Sequence, residues 1–132
     1  MSWYEAAAYC ASKDGRLPTS AEWERAARDG RNKVEYPWGD DEPDETRANF
    51  AYNNSPGAPT PVGLYPAGAT PSGIQDMAGN VWEWVADDYD NESKVLRGGS
   101  CYFISGYLRV SLRFWFLPLV RDDVIGFRCV WE

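Results

Sequence analysis

Two capped helices at the start, strand-like alternation confined to the second half, and a long turn-rich stretch between them predict an α+β domain. Ser2-Trp3-Tyr4-Glu5 has the form of a capping box, in which serine and glutamate side chains take up each other's backbone N–H groups. Ala6, Ala7 and Ala8 favour the helix that follows, and Gly15 lies beyond its end. Trp3, Ala7 and Cys10 share one face, which reads as core. Thr19-Ser20-Ala21-Glu22 is a second capping box. Its helix is expected to stop at Gly30 and sets Trp23 and Ala27 one turn apart.

Helical signals then cease. From Asn32 to Gly79 the chain is full of Pro, Gly, Asn and Asp, as in Tyr36-Pro37-Trp38-Gly39 and Thr60-Pro61-Val62-Gly63. So long a loop is uncommon in a compact domain unless it is functional or pinned by an ion. Its aromatic residues predict that it is ordered. The acidic run Asp40-Asp41-Glu42-Pro43-Asp44-Glu45 reads as a solvated turn. Three strands are expected, at Val81–Val85, Val95–Arg97 and Phe127–Trp131. Alternation in the first places Trp82 and Trp84 on one side, taken as the inward side. No repeat and no boundary divides the chain, so residues 1–132 form one domain.

At 132 residues the chain can bury roughly two-thirds of its unfolded surface without a staple. Its 7 Trp, 8 Tyr and 5 Phe, beside 12 Gly and 9 Pro, suit aromatic packing among loops better than a helical bundle. A net charge of -7 with no basic block argues against nucleic acid or an anionic membrane as partner. No stretch approaches the roughly 18 apolar residues of a membrane span, so no membrane insertion is expected. Met1-Ser2-Trp3 begins no signal peptide. An intracellular location, another export route and a native start further upstream all stay open. The 3 cysteines leave at least one thiol unpaired, and the absence of histidine excludes Ser-His-Asp and Cys-His nucleophiles.

The last quarter, Arg97 to Glu132, is dense in large side chains and fits neither a period of 2 nor of 3.6. Phe114 to Leu117 is apolar on every face, and Pro118 forbids a long helix or a central strand. Such a run is deep core or an exposed contact surface. Trp3, Trp23, Trp82, Trp84 and Phe127 already supply a core, and surplus aromatics mark contact sites, so the contact surface is favoured.

The pieces WYEAAAYC, GRLPTSAEWERAAR, YPWGD, ANF, TPVGLYP, GIQDMAGNVWEWV, VLRGGS and GFRC span nearly the whole chain. In this order they resemble the formylglycine-generating enzyme (sulfatase-modifying factor) family, a branch of the C-type lectin fold. The resemblance implies two helices, a small twisted antiparallel sheet and much irregular loop. The family's active-site cysteine positions are held here by Phe103 and Leu108, and the iron-dependent branch uses histidines that this chain lacks. No catalytic residue is therefore expected. A formylglycine-type metal-dependent oxidase, or a degenerate relative of one, is the alternative.

Within that fold the chain is most similar to the variable proteins of diversity-generating retroelements. These rewrite chosen C-terminal codons and hold the fold with RGGS-like and GFR-like anchors. The resemblance implies a non-catalytic protein that displays a diversified surface, within 97–132, to a macromolecular ligand, expected to be a protein. The implied ligand-binding positions are Tyr102, Phe103, Ile104, Tyr107, Phe114, Phe116, Leu117, Leu119, Val120, Asp122, Asp123 and Val124. Leu108, Arg109, Ser111, Leu112, Arg113, Trp115, Pro118, Arg121 and Ile125–Arg128 read as scaffold. Display on a virus or cell surface through a partner goes with this reading.

The resemblance also points to calcium. Asp76 and Glu83 are its carboxylate ligands and Gly79 and Val81 its backbone ones, in keeping with calcium's taste for oxygens from irregular chain. The opposing reading is that the two carboxylates only accept bonds from backbone amides, so no cofactor is required. Cys10 and Cys129 match a structural disulfide of the family, or two adjacent thiols in a reducing compartment, which leaves Cys101 as the odd one.

Overall fold

The computed structural model describes residues 1–132. Helix α1 spans Trp3–Ser12 and α2 spans Ser20–Arg28. Both capping boxes close. Glu5 N–H donates to Ser2 Oγ at 3.2 Å, while Glu5 Oε1 accepts from Ser2 N–H at 2.8 Å. Thr19 and Glu22 repeat this at 3.1 and 2.8 Å. The buried face of α1 is Ala6 and Cys10, with Trp3 and Ala7 only half-buried beside them. In α2, Trp23 and Ala27 are buried. That helix ends at Asp29, in the left-handed region at φ 50°, one residue before the expected glycine.

Strands β1 (Trp82–Asp88), β2 (Lys94–Arg97), β3 (Arg113–Phe116) and β4 (Ile125–Gly126) form one sheet in the order β3-β2-β1-β4. β1 pairs antiparallel with β2, and β2 with β3, but β4 lies parallel to β1. The sheet is thus mixed rather than wholly antiparallel. After a long excursion the chain re-enters beside the start of β1, where Trp82 N–H donates to Val124 O at 2.7 Å. The strand expected at Phe127–Trp131 does not form. Beyond β4, Val130 meets only Arg16, in an isolated bridge. β3 is a strand that periodicity missed. It sits at the sheet edge, where Pro118 just beyond its end breaks no ladder.

The two faces of β1 serve different cores. Trp82 and Trp84 pack with Ala6, Cys10, Leu17, Leu96 and Ile125. Val85 faces the opposite layer with Trp23, Ala27, Met77, Val95 and Val110. Burying an indole removes about 200 Å² from water, worth roughly 5 kcal/mol at ~25 cal/mol/Å². A third cluster of Tyr36, Ala48, Phe50, Ala78 and Leu108 orders the turn-rich stretch. That stretch holds one 3-10 turn, Pro66–Gly68, and no strand. It is tied down through main-chain bonds, Val110 N–H to Glu35 O at 2.8 Å and Asn80 N–H to Asn49 O at 2.8 Å. Gly79 is required there: at φ 78°, a Cβ would lie 2.4 Å from Asn49 O.

Cys10 and Cys129 are joined by a disulfide across 119 residues of sequence, with a Cα–Cα distance of 5.6 Å. It fastens α1 to the chain's last residues. The Arg16 guanidinium spans the same seam, 2.7 Å from Glu22 and 2.8 Å from Glu132.

Candidate ligand-binding surface

The stretch from Arg97 onwards leaves the sheet through a buried cation. Arg97 donates to Ser20 Oγ at 3.0 Å, to Val110 O at 2.7 Å and to Glu24 Oε1 at 2.5 Å, and lies 5.2 Å from the Trp23 ring. Burial holds its pKa below the usual arginine value, with Glu24 opposing. Gly99 follows at φ 76°, where a Cβ would meet Tyr107 O at 2.7 Å. The irregular chain beyond is held by its backbone. Cys101 N–H donates to Asn80 O at 2.9 Å, Ala51 N–H to Phe103 O at 2.9 Å, and Trp3 N–H to Pro118 O at 2.9 Å.

The residues read as ligand-binding divide into two groups. Tyr102, Ile104, Tyr107, Phe116, Leu117, Leu119, Asp122 and Asp123 are exposed, with Ile104 at 62% and Leu119 at 77%. Phe103, Phe114 and Val120 are instead half-buried against the main core. Phe114 stacks on Trp82 at 5.0 Å between centroids, and Phe103 meets the same ring edge-on at 5.2 Å. Val124 is buried, because its carbonyl bonds β1 and its side chain turns inward. These four are corrected from pure contact positions to partly or wholly structural ones. Phe103, Phe114 and Val120 cover the core around Trp82 where it extends past the sheet, whereas Val124 is held by its main-chain bond beside β1.

An unbroken ring-to-ring path crosses this surface. Tyr107 meets Phe103 at 4.9 Å, Phe103 meets Phe114 at 5.9 Å, Phe114 meets Trp115 at 5.0 Å, and Trp115 stacks on Tyr89 at 4.6 Å. Trp115, read as scaffold, is 43% exposed, and Tyr89 escaped notice altogether. Reading Arg113–Phe116 as a strand would have found the first, since alternation turns Trp115 away from Phe114 and Phe116. Nothing local marks Tyr89, which reaches Trp115 across β2.

The two carboxylates read as calcium ligands, Asp76 and Glu83, are both engaged by groups of the chain itself. Glu83, buried, has both oxygens occupied. Oε1 accepts from Trp23 Nε1 at 3.0 Å and Arg128 Nε at 2.7 Å, and Oε2 accepts from Arg128 Nη2 at 2.8 Å. Burial alone would lower the Arg128 pKa, but the charge and hydrogen bonds of Glu83 together with the Asp76 charge raise it. Asp76 accepts Gly63 N–H at 2.8 Å, as in the amide-bonded reading. No three His, Cys, Asp or Glu side chains converge anywhere on a common point. Gly79 and Val81 flank Asn80, whose side chain is taken up with Asn49 and Thr60.

The thiol chemistry is equally restricted. Cys101 is free and buried, and burial followed by the Asp123 charge raises its pKa. A nucleophilic or metal-binding cysteine needs the opposite shift. The other two cysteines are in the disulfide. Phe103 covers Trp82, and Leu108 is wholly buried among Tyr36 and Phe50.

The model of the sulfatase-modifying factor enzyme 1-like domain matches residues 1–132. Among curated proteins, the chain is 36% identical to hercynine oxygenase of Mycobacterium tuberculosis, over 100% of this chain and 36% of that protein. It is 37% identical to the inactive C-alpha-formylglycine-generating enzyme 2 of Bos taurus, over 98% of this chain and 48% of that protein. The chain thus spans between a third and a half of these relatives. Among solved structures it superposes on Treponema denticola variable protein 1 with a TM-score of 0.72 and 30% identity, covering 86% of this chain and 46% of that one. With its whole length matched, the chain belongs to the sulfatase-modifying factor enzyme 1-like family.

Proposed function

We propose that this domain is a non-catalytic binding module that presents the aromatic surface of residues 102–123 to a macromolecular partner, a protein. The observation that carries it is the exposed half of that stretch. Tyr102, Ile104, Tyr107, Phe116, Leu117 and Leu119 stand in solvent beside an ordered aromatic path, although the core is filled without them. Rigid, solvent-facing aromatic side chains lose little entropy when a partner covers them. The likeness to a variable protein supports a diversified surface, and the likeness to an inactive formylglycine-generating enzyme supports a family member without catalysis. No metal is needed in this reading, because Arg128 supplies the charge that Glu83 requires.

A second reading is an oxidase, favoured by the identity to hercynine oxygenase. The chain itself offers that chemistry no histidine and no accessible thiolate. The match also leaves most of that relative's length outside it.

The test substitutes serine at Tyr102, Ile104, Tyr107, Phe116, Leu117 and Leu119 together. Peptides from a random library on phage, selected on the parent protein, should lose binding to the variant while its thermal melt is kept. Chelator should leave the parent's melt unchanged. Unfolding of the variant would show these residues to be core. Oxygen-dependent turnover of hercynine or of a cysteine peptide, with iron or copper added, would establish the oxidase.

A further inference from the structure

The sheet has two edges, and they are not alike. β4 is two residues long and presents little to pair with. β3 is the other edge, with four residues in register against β2, from Arg113 opposite Arg97 to Phe116 opposite Lys94. In an antiparallel pair every second residue turns its N–H and C=O toward the neighbour, and the others turn theirs away. No backbone or side-chain group of this chain takes up the outward set on β3. Edge strands are normally blunted by Pro, Lys, a bulge or a covering segment. β3 is short and opens on a charged residue, Arg113, but it carries no Pro, Lys or bulge, and no segment is hydrogen-bonded to its outer side. Its sequence is Arg-Phe-Trp-Phe, with Trp115 and Phe116 exposed on opposite faces of the sheet.

Resting on the display reading above, we propose that the protein partner binds by adding an extended strand to the free edge of β3. Main-chain bonds to the outward groups would set its register. Alternate side chains of the added strand would lie against Phe114 and Phe116 on one face and Trp115 with Tyr89 on the other. Charge sets the direction of fit. Arg113 opens the edge, is exposed and forms no ion pair, its guanidinium lying 5.8 Å from the centroid of the Tyr89 ring. Toward the other end the edge runs into Leu117, Pro118 and Leu119, which are apolar. The occupant is therefore an extended polypeptide with a carboxylate beside Arg113 and apolar residues in alternation. A glycan supplies neither the ladder nor the alternation.

The experiment is backbone amide exchange on the intact protein. The probe is a short synthetic peptide alternating valine and threonine, with glutamate at the end facing Arg113. The expected result is exchange slowed about tenfold or more at every second amide of 113–116. The same peptide N-methylated at alternate residues should give no slowing. Arg113→Glu should weaken the probe about tenfold, and a lysine in place of the probe's glutamate should restore it. Absence of slowing at the edge overturns the proposal. So does slowing that rises with the protein's own concentration without peptide, since a second copy then fills the edge. Library peptides that bind the parent, lose the six-serine variant and leave the edge amides unprotected overturn strand addition alone. The display reading would survive that result. Failure of every library peptide to bind sinks both.

Discussion

Breaking the Cys10–Cys129 link tests how far this loop-rich domain depends on a single tie. The bond closes a loop of 119 residues. In the chain-entropy account, a link of that span removes about 5 kcal/mol of conformational freedom from the unfolded state. Native disulfides in small domains deliver roughly 2–5 kcal/mol. With an unfolding entropy of about 2.1 cal/mol/K per residue, the whole domain has roughly 0.28 kcal/mol/K at its midpoint. Reduction should then lower Tm by about 7 to 18 °C. The assay compares oxidised protein with protein unfolded, reduced and refolded in reductant, so that no atom of the core is removed except by the bond itself. A double Cys10→Ala, Cys129→Ala variant should fall slightly further, because Cys10 is wholly buried. A fall under about 3 °C would mean that the sheet and the three clusters hold the ends without help, and the entropic argument would be wrong here.

The division of the aromatic stretch has its own measurement. Phe114→Ser should cost about 2 kcal/mol or more, since its ring covers Trp82, while Leu119→Ser should stay within about 0.5 kcal/mol. Equal losses on denaturant titration would erase the distinction. Arg128→Met leaves Glu83 buried without its partner and should cost about 3 kcal/mol; adding Glu83→Gln should recover part of this, and an additive double variant would refute the pairing. Acid should act through Glu22 and Glu5. Bonds from Arg16 and then from the Thr19 N–H hold Glu22 at about 2, and bonds from Arg121 and then from the Ser2 N–H hold Glu5 at about 2. Folded values below the ordinary 4.5 mean that this stabilisation is complete above pH 4.5 and is lost as pH falls toward 2. Glu22→Gln should flatten the Tm curve over that window, and a parallel curve would argue against it.

What could be read from the sequence was whatever is encoded in neighbours. The capping boxes at Ser2 and Thr19 are complete within four residues, and both helices appeared where their caps put them. The alternation of Trp82 and Trp84 assigned both to one core. The family's motifs placed the remainder of the fold. Three features were out of reach for a physical reason. The parallel pairing of β4 depends on where the chain returns to β1, with Ile125 set beside Trp82 from 43 positions on, which no local pattern states. β3 carries large apolar residues on both faces, exposed at Trp115 and Phe116, so it lacks the polar–apolar alternation that marks a half-buried strand. Phe103 and Phe114 differ from Leu119 only in lying over Trp82, a contact made across the fold. Glu83 illustrates a further limit. The motif named the residue, but its partner Arg128 lies 45 positions away.

The irregular stretch is fastened by atoms that every residue possesses. Where the fastening atom is a carbonyl, as at Phe103, Pro118 and Val124, any of the twenty amino acids can supply it, and the chain itself uses a proline at one of them. Where it is an N–H, as at Cys101 and Val110, only proline is barred by the bond. Of the five fastened positions, side-chain packing restricts Cys101, Phe103, Val110 and Val124 separately, through burial. At 102 the N–H donates to Ser100 Oγ at 3.3 Å, so proline is barred there, while positions 104, 117 and 119 carry neither restriction. A library built on those three codons alone would sample about 8,000 combinations, with each member differing in surface chemistry but sharing one backbone path.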